Sequence, residues 1–248
     1  MGDQKKYRFG LIGKNIAYSF SRGYFAQKFE DLQLEAYSYE NFDLQTIKEF
    51  NGLLDKNPDV KGLNVTIPYK QEIIPFLDKI DETALQIGAV NTIRIIKDNL
   101  NGYNTDAVGF QKSLEPHLKN HHKGALILGT GGASKAIAYV LQKLKIEYSL
   151  ISRNPSNGQL GYADLTEKII TENQLIVNCT PLGTHPDIEK LPEIPYEFLS
   201  EKHLLYDLIY NPTKTSFLKE GEEKGASIVN GLKMLELQAE ASWEIWNS

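Results

Sequence analysis

Residues 125–136 leave few folds open to this chain. Ala125-Leu126-Ile127-Leu128-Gly129 is a short apolar run that reads as a buried strand, and Gly129-Thr130-Gly131-Gly132-Ala133-Ser134-Lys135-Ala136 turns straight into a helix. That order predicts a parallel βαβ unit and suits a dinucleotide. Small residues let the backbone approach a pyrophosphate, and the N–H groups of a helix N-terminus favour its charge. Ser134 stands where the third glycine of G-x-G-x-x-G falls and is small enough to keep close packing, while the Gly-Lys-Ser/Thr ending of a P-loop is missing. The next strand, Glu147 to Arg153, ends in Ser152-Arg153-Asn154, an arginine where NAD-reading folds usually carry an acid. Arg153 therefore predicts NADP, held by charge-assisted bonds worth about 1.5–3 kcal/mol.

Strand and helix signals alternate along the whole chain, which predicts an α/β architecture with mostly parallel sheets. Strands are expected at Tyr7–Ile12, from Ala36, at Gly62–Ile67 and at Asn91–Ile96. A turn at Asp98-Asn99 then returns the chain through Leu100 to Asn104. Helices are expected near Arg22–Leu32 and Leu44–Asp55, and from Asp106 with Phe110, Leu114 and Leu118 on one line. Beyond the glycine turn come strands at Leu175–Cys179, Leu204–Leu208 and Ser227–Asn230, and an amphipathic helix from Leu232 to Trp246. The expected division is a substrate domain of residues 1–104 and a Rossmann-like dinucleotide-binding domain of 105–231. The closing helix, 232–248, is expected to return to the first domain.

Length and composition fit one large or two modest domains: 248 residues, 41% hydrophobic and 24% charged. A net charge of −5 argues against a nucleic-acid surface, which needs a basic stripe. The single cysteine, Cys179, excludes an internal disulfide and reads as an inert core thiol, suiting a reducing cytoplasm. Met1–Lys6 are polar, without the apolar core of a signal peptide, and Lys6 stands where a myristoylation signal on Gly2 needs Ser or Thr. No apolar run approaches membrane-spanning length. His117 and His121 are four residues apart with no acid or cysteine to complete a metal set, so no metal is expected.

A second constellation surrounds Asn64-Val65-Thr66-Ile67-Pro68-Tyr69-Lys70. Pro68 fits the first turn of a helix, which would place Lys70 in that turn and disfavour its protonated amine by up to about 1 kcal/mol. A local rule broken in this way marks Lys70 as a candidate for acid–base chemistry. Asp106 begins a helix and reads equally as an N-cap, worth about 1 kcal/mol, or as the partner that keeps a neighbouring ammonium charged. Ser21 reads as the N-cap of the Arg22 helix, or with Ser19 as part of a strand-end face that bonds a carboxylate. Gln238 shares a helix face with Met234 and Ala241, where its amide needs partners from backbone or ligand. Asn64 and Thr66 alternate along one strand face, Asn91 stands at a strand start, and Tyr210 reads alone as core.

Taken together, Ser19-Phe20-Ser21, Asn64 to Lys70, Gly88-Ala89-Val90-Asn91-Thr92, Asn104-Thr105-Asp106 and Gly129 to Ala133 occur in an order that resembles the shikimate dehydrogenase family. Asn178-Cys179-Thr180-Pro181-Leu182-Gly183, Asp207-Leu208-Ile209-Tyr210-Asn211-Pro212 and Gly231 to Gln238 extend the likeness over nearly the whole chain. The resemblance implies NADPH-dependent reduction of 3-dehydroshikimate, with Lys70 and Asp106 as the catalytic pair. It also implies substrate contacts from Ser19, Ser21, Asn64, Thr66, Asn91, Asp106, Tyr210 and Gln238. Gly129, Thr130, Gly131, Gly132, Ala133, Ser152, Arg153, Thr180, Leu208 and Gly231 would face the cofactor, with Glu82 a weaker match. The chain departs from the family at Tyr18, Arg22, Phe25 and Ala26, in Ser152-Arg153-Asn154, and in a short segment between that strand and Leu175.

The expected partner is a small molecule, with no nucleic acid or membrane, and the expected assembly a monomer or homodimer. Two other readings stay open at this level: an NAD-using quinate/shikimate dehydrogenase, and a non-catalytic dinucleotide sensor.

Overall fold

Two six-stranded sheets take up the apolar runs of the sequence. The computed structural model describes residues 7–17, 19–156 and 158–248, so the readings at Gly2, Lys6 and Tyr18 lie outside the described residues. The chain divides into two units, one holding the residues up to Thr105 together with Gln238–Ser248, the other Asp106–Leu237.

The first unit runs β1 (Tyr7–Gly13), α1 (Phe20–Asp31), β2 (Tyr37–Asp43), α2 (Phe50–Lys56), β3 (Val60–Val65), β4 (Lys79–Ile80), α3 (Glu82–Ile87), β5 (Thr92–Ile96) and β6 (Asn99–Tyr103). Its sheet has the order β2-β1-β3-β5-β6-β4, with β1 parallel to β2 and β3, and β5 antiparallel to β3 and β6. The β5–β6 turn centres on Lys97 and Asp98, one residue earlier than the sequence suggests. Both take left-handed φ, 48° and 66°, as a tight hairpin requires. The helix expected from Leu44 starts later, because Thr46 and Glu49 form a capping box that opens a 3-10 turn at Ile47.

The second unit runs α4 (Asp106–Leu114), β7 (Gly124–Leu128), α5 (Gly132–Lys143), β8 (Glu147–Ser152), β9 (Gln159–Gly161), α6 (Glu167–Glu172), β10 (Leu175–Asn178), β11 (Leu204–Asp207), α7 (Ser216–Glu223) and β12 (Ser227–Val229). α4 stops at Leu114 rather than reaching Leu118, since Pro116 has no N–H to continue the ladder and the chain tightens into a 3-10 turn. The sheet order is β12-β11-β10-β7-β8-β9, parallel throughout. This is the doubly wound arrangement, whose strand order reverses direction between β7 and β10.

The last helix, α8 (Leu232–Asn247), begins in the second unit and ends in the first. Its far end packs into an aromatic cluster of Phe9, Phe25, Phe29, Tyr39 and Trp246. Gly62 is what admits Trp246: a Cβ there would lie 2.3 Å from the indole nitrogen, which donates to Ile93 O at 3.0 Å. Among the described residues no helix is long and apolar enough to cross a membrane.

Candidate active site

In the first unit, side chains that are far apart in sequence join into one buried polar network. Asn64 lies next to the end of β3 and is 4% exposed, so its amide must be satisfied internally. Its Nδ2 donates to Ser242 Oγ at 2.9 Å and to Thr92 Oγ1 at 3.2 Å, and its Oδ1 accepts the Tyr39 hydroxyl at 2.8 Å. Asn91 Oδ1 accepts from the Thr105 backbone at 2.7 Å and from Thr92 Oγ1 at 3.1 Å. Its Nδ2 donates to Thr105 Oγ1 at 3.0 Å and reaches Gln238 Oε1 at 3.5 Å. Ser242, one turn beyond Gln238 on α8, closes the set through contacts to Thr92 at 2.8 Å and Thr105 at 3.1 Å. Asp106 follows Thr105 directly, so the bonds that fix Thr105 also fix the backbone leading into Asp106. That carboxylate is 6% exposed and heads α4, where the first-turn N–H groups complement negative charge.

Ser19 is the N-cap residue of α1, yet its side chain makes no capping bond. The loop that carries it is held by Asp43, which accepts from Asn15 N at 3.0 Å and Ile16 N at 3.4 Å, and by Asn41 Nδ2 on Ile16 O at 2.8 Å. Ser21 is not the N-cap, nor part of an extended face. The helix opens at Phe20, which puts Ser21 in the first turn, beside the Tyr39 phenol.

Lys70 departs from the sequence reading in its backbone. No α-helix begins at Pro68: residues 67–73 form successive turns, and Thr66 lies half-buried just beyond β3. The reason lies outside the segment. Lys70 O accepts from Val90 N at 2.7 Å, which draws it toward the approach of β5, and Ile74 N donates to Gln71 O at 3.2 Å rather than making the helical bond to Lys70 O. The macrodipole argument for Lys70 therefore falls, and its half-buried side chain stands on a turn pinned to the approach of β5. Glu82 stands apart from the network, exposed on α3 with Gln86 Nε2 on its Oε1 at 3.3 Å.

In the second unit the cofactor candidates all follow the C-terminal ends of parallel strands, the edge where doubly wound sheets bind ligands. Gly129 leaves β7 with φ +102°, a conformation that favours glycine, and a Cβ there would lie 3.2 Å from Thr180 Cγ2. These two residues follow β7 and β10, the neighbouring strands at the reversal point. Gly131 is the N-cap of α5 and so caps no N–H with a side chain, and a Cβ on it would meet no atom within 4 Å. Exposed Thr130 and half-buried Gly132 and Ala133 complete a turn that leaves room for a phosphate against helix N–H groups. Ser152 ends β8, its Oγ accepting from Asn154 N at 3.2 Å, and the exposed Arg153 guanidinium comes next. These residues fit a dinucleotide with an extra phosphate.

Asn178 and Asp207 face each other across β10 and β11 and tie the two further loops down. Asn178 Oδ1 accepts from Thr180 N at 3.0 Å and Thr180 Oγ1 at 2.7 Å, and its Nδ2 donates to Asp207 Oδ1 at 3.0 Å. Asp207 also accepts from Ile209 N at 3.0 Å and Thr215 Oγ1 at 2.6 Å. Burial pushes the Asp207 carboxyl up to about 6 against the pull of these three donors. Leu208 follows, and its carbonyl packs so tightly on Gly231 that a Cβ there would sit 2.0 Å from the oxygen. Tyr210 is half-buried in the same loop. Burial pushes the Cys179 thiol up, which keeps it from acting as a thiolate.

The structure thus joins Asn64, Asn91 and Gln238 in one set, with Ser21 beside its Tyr39, and aligns the glycine turn with Ser152, Arg153, Thr180, Leu208 and Gly231 along one sheet edge. Tyr39, Thr92, Thr105 and Ser242 escaped the sequence reading, as did Asn178, Asp207 and Thr215 as anchors of the loops. Thr92, Thr105, Asn178 and Asp207 do lie within motifs singled out above, but pairings between distant residues leave no periodic trace.

Residues 11–93 match the model of the shikimate dehydrogenase substrate binding domain. A Methanococcus vannielii relative named shikimate dehydrogenase (NADP(+)) is 38% identical over 267 residues, covering 99% of this chain and 93% of the relative. The crystal structure of shikimate dehydrogenase from Aquifex aeolicus superposes with a TM-score of 0.88 at 33% identity, covering 100% of this chain and 94% of that one. Shikimate 5-dehydrogenase from Thermus thermophilus, in complex with NADP(H) and shikimate, gives 0.86 at 32% identity, with 97% and 93% covered.

Proposed function

The chain belongs to the shikimate dehydrogenase family, and from that premise we propose that it reversibly reduces 3-dehydroshikimate to shikimate with NADPH, on the route to aromatic amino acids. The observation that carries this reading is the near-complete match to a relative named for that activity and cofactor. The glycine turn and the exposed Arg153 support the cofactor assignment from this chain's own residues. The single cysteine supports a cytoplasmic setting, and a monomer or homodimer suffices for the chemistry.

NADPH, when bound, supplies the hydride for the ring carbonyl. The remaining work falls to side chains. Lys70 stabilises negative charge developing on the carbonyl oxygen and passes it a proton, and in the oxidative direction takes the hydroxyl proton back. Asp106 is the second member of the catalytic pair and accepts hydrogen bonds from ring hydroxyls. Ser19 and Ser21 bond the substrate carboxylate without a countercharge. Asn64, Thr66, Asn91, Tyr210 and Gln238 bond the remaining polar groups. Gly129 to Ala133 cradle the pyrophosphate, Ser152 and Arg153 read the 2′-phosphate, and Thr180, Leu208 and Gly231 shape the wall for the rest of the dinucleotide. Glu82, exposed and bonded to Gln86, is assigned to the cofactor by the family resemblance alone.

The test is oxidation of shikimate and of quinate, each with NADP and with NAD, followed by absorbance of the reduced nicotinamide. Turnover fastest with shikimate and NADP is expected. Preference for quinate and NAD points to the quinate/shikimate alternative, and cofactor binding without turnover points to a sensor.

A further inference from the structure

The Tyr39 phenol is assigned no role above, yet it stands between two groups that are. Its hydroxyl donates to Asn64 Oδ1 at 2.8 Å, and the Ser21 side chain lies beside the phenol. It is the one donor to Asn64 Oδ1 among the described residues, because the amide nitrogen is engaged with Ser242, Thr92 and the Asn91 carbonyl. Remove the phenol, and one end of a buried amide loses its partner while Ser21 loses a polar neighbour.

The ring itself is held. Tyr39 is 7% exposed, and Phe25 lies flat against it, with centroids 4.6 Å apart and planes 15° from parallel. Trp246 covers it from α8 at 6.3 Å. A phenol gripped in this way has a fixed oxygen position, the quality an orienting group needs. Burial also raises the energy of the phenolate, so the hydroxyl stays a donor.

We infer that Tyr39 is a positioning residue of the substrate site, setting the directions of the Ser21 hydroxyl and the Asn64 amide and through them the affinity for a hydroxylated carboxylate. It touches no reacting atom. The inference rests on the substrate site proposed above, and it concerns binding of that substrate rather than hydride transfer or cofactor affinity.

Tyr39→Phe keeps the ring and its stack on Phe25 and removes the hydroxyl alone. The expected result is a KM for shikimate raised about tenfold, as loss of one orienting hydrogen bond implies, with kcat and the KM for NADP within about twofold of the parent. Ser21→Ala should cost about threefold less in KM in the Tyr39→Phe background than in the parent, since the two act as a unit. Phe25→Leu, which unstacks the ring but leaves the hydroxyl, should also raise the KM for shikimate at unchanged KM for NADP, and it serves if Tyr39→Phe does not fold. Independent, multiplying effects, an unmoved KM for shikimate, or equal losses toward both ligands would each overturn the role. A parent enzyme that does not oxidise shikimate at all overturns the functional reading instead, and is seen before any substitution is made.

Discussion

Replacing Asp207 by asparagine should change how stability depends on pH, in a direction and by an amount the structure sets. The carboxyl is fully buried, 0% exposed, and burial raises it from 3.8 to about 6 in the folded chain. That displacement corresponds to about 3 kcal/mol. The folded state holds this proton more firmly than the unfolded state, so between pH 3.8 and about 6 the native chain binds more protons. Stability contributed by this group is therefore greatest below pH 3.8, falls as pH rises through that window, and is level above it. The amide of the Asp207→Asn variant cannot titrate. Urea unfolding followed by circular dichroism, at intervals from pH 4 to 7.5, should show the variant gaining on the parent by about 2 kcal/mol across the series. The absolute offset depends on how an amide meets the donors of Thr215, Ile209 and Asn178, but the pH-dependent part does not. A difference that stays flat from pH 4 to 7 would refute the buried-carboxyl reasoning.

Gly62→Ala should destabilise the first unit by about 1–3 kcal/mol, because the new methyl displaces Trp246 and breaks its bond to Ile93 O. Tryptophan fluorescence and a melting curve read this, and an unchanged Tm contradicts it. Arg153→Ala should raise the KM for NADP by about ten- to a hundredfold while leaving that for NAD within a few-fold. Equal loss toward both cofactors would remove the 2′-phosphate role.

What the sequence made legible follows from the range of the interactions concerned. The glycine turn is a local signal, and its strand, turn and helix fall together as expected at Gly129 to Gly132. The doubly wound sheet follows from the alternation of elements and needs no side-chain detail. Lys70 shows the opposite case. Pro68 is a sound local signal for a helix start, but one long-range bond, Val90 N to Lys70 O, diverts the backbone into turns. Helix α3 escaped notice although Asp81 caps Thr83 N and Gly88 ends it in the left-handed region at φ 69°. Six residues are too few for apolar periodicity to register. The polar network was invisible for a deeper reason: Tyr39 and Asn64 are 25 residues apart, and Asn64 and Ser242 are 178 apart. Spacing rules cannot reach such pairs, which exist only once the sheet and α8 have assembled.

The most direct measurement is steady-state turnover of 3-dehydroshikimate with NADPH by the parent and by Lys70→Ala, with circular dichroism confirming that both are folded. If Lys70 moves the proton, kcat falls by about 10²–10⁴-fold and KM changes far less. A folded variant that keeps the parent's kcat would contradict the assignment of Lys70 and, with it, the proposed chemistry of the site.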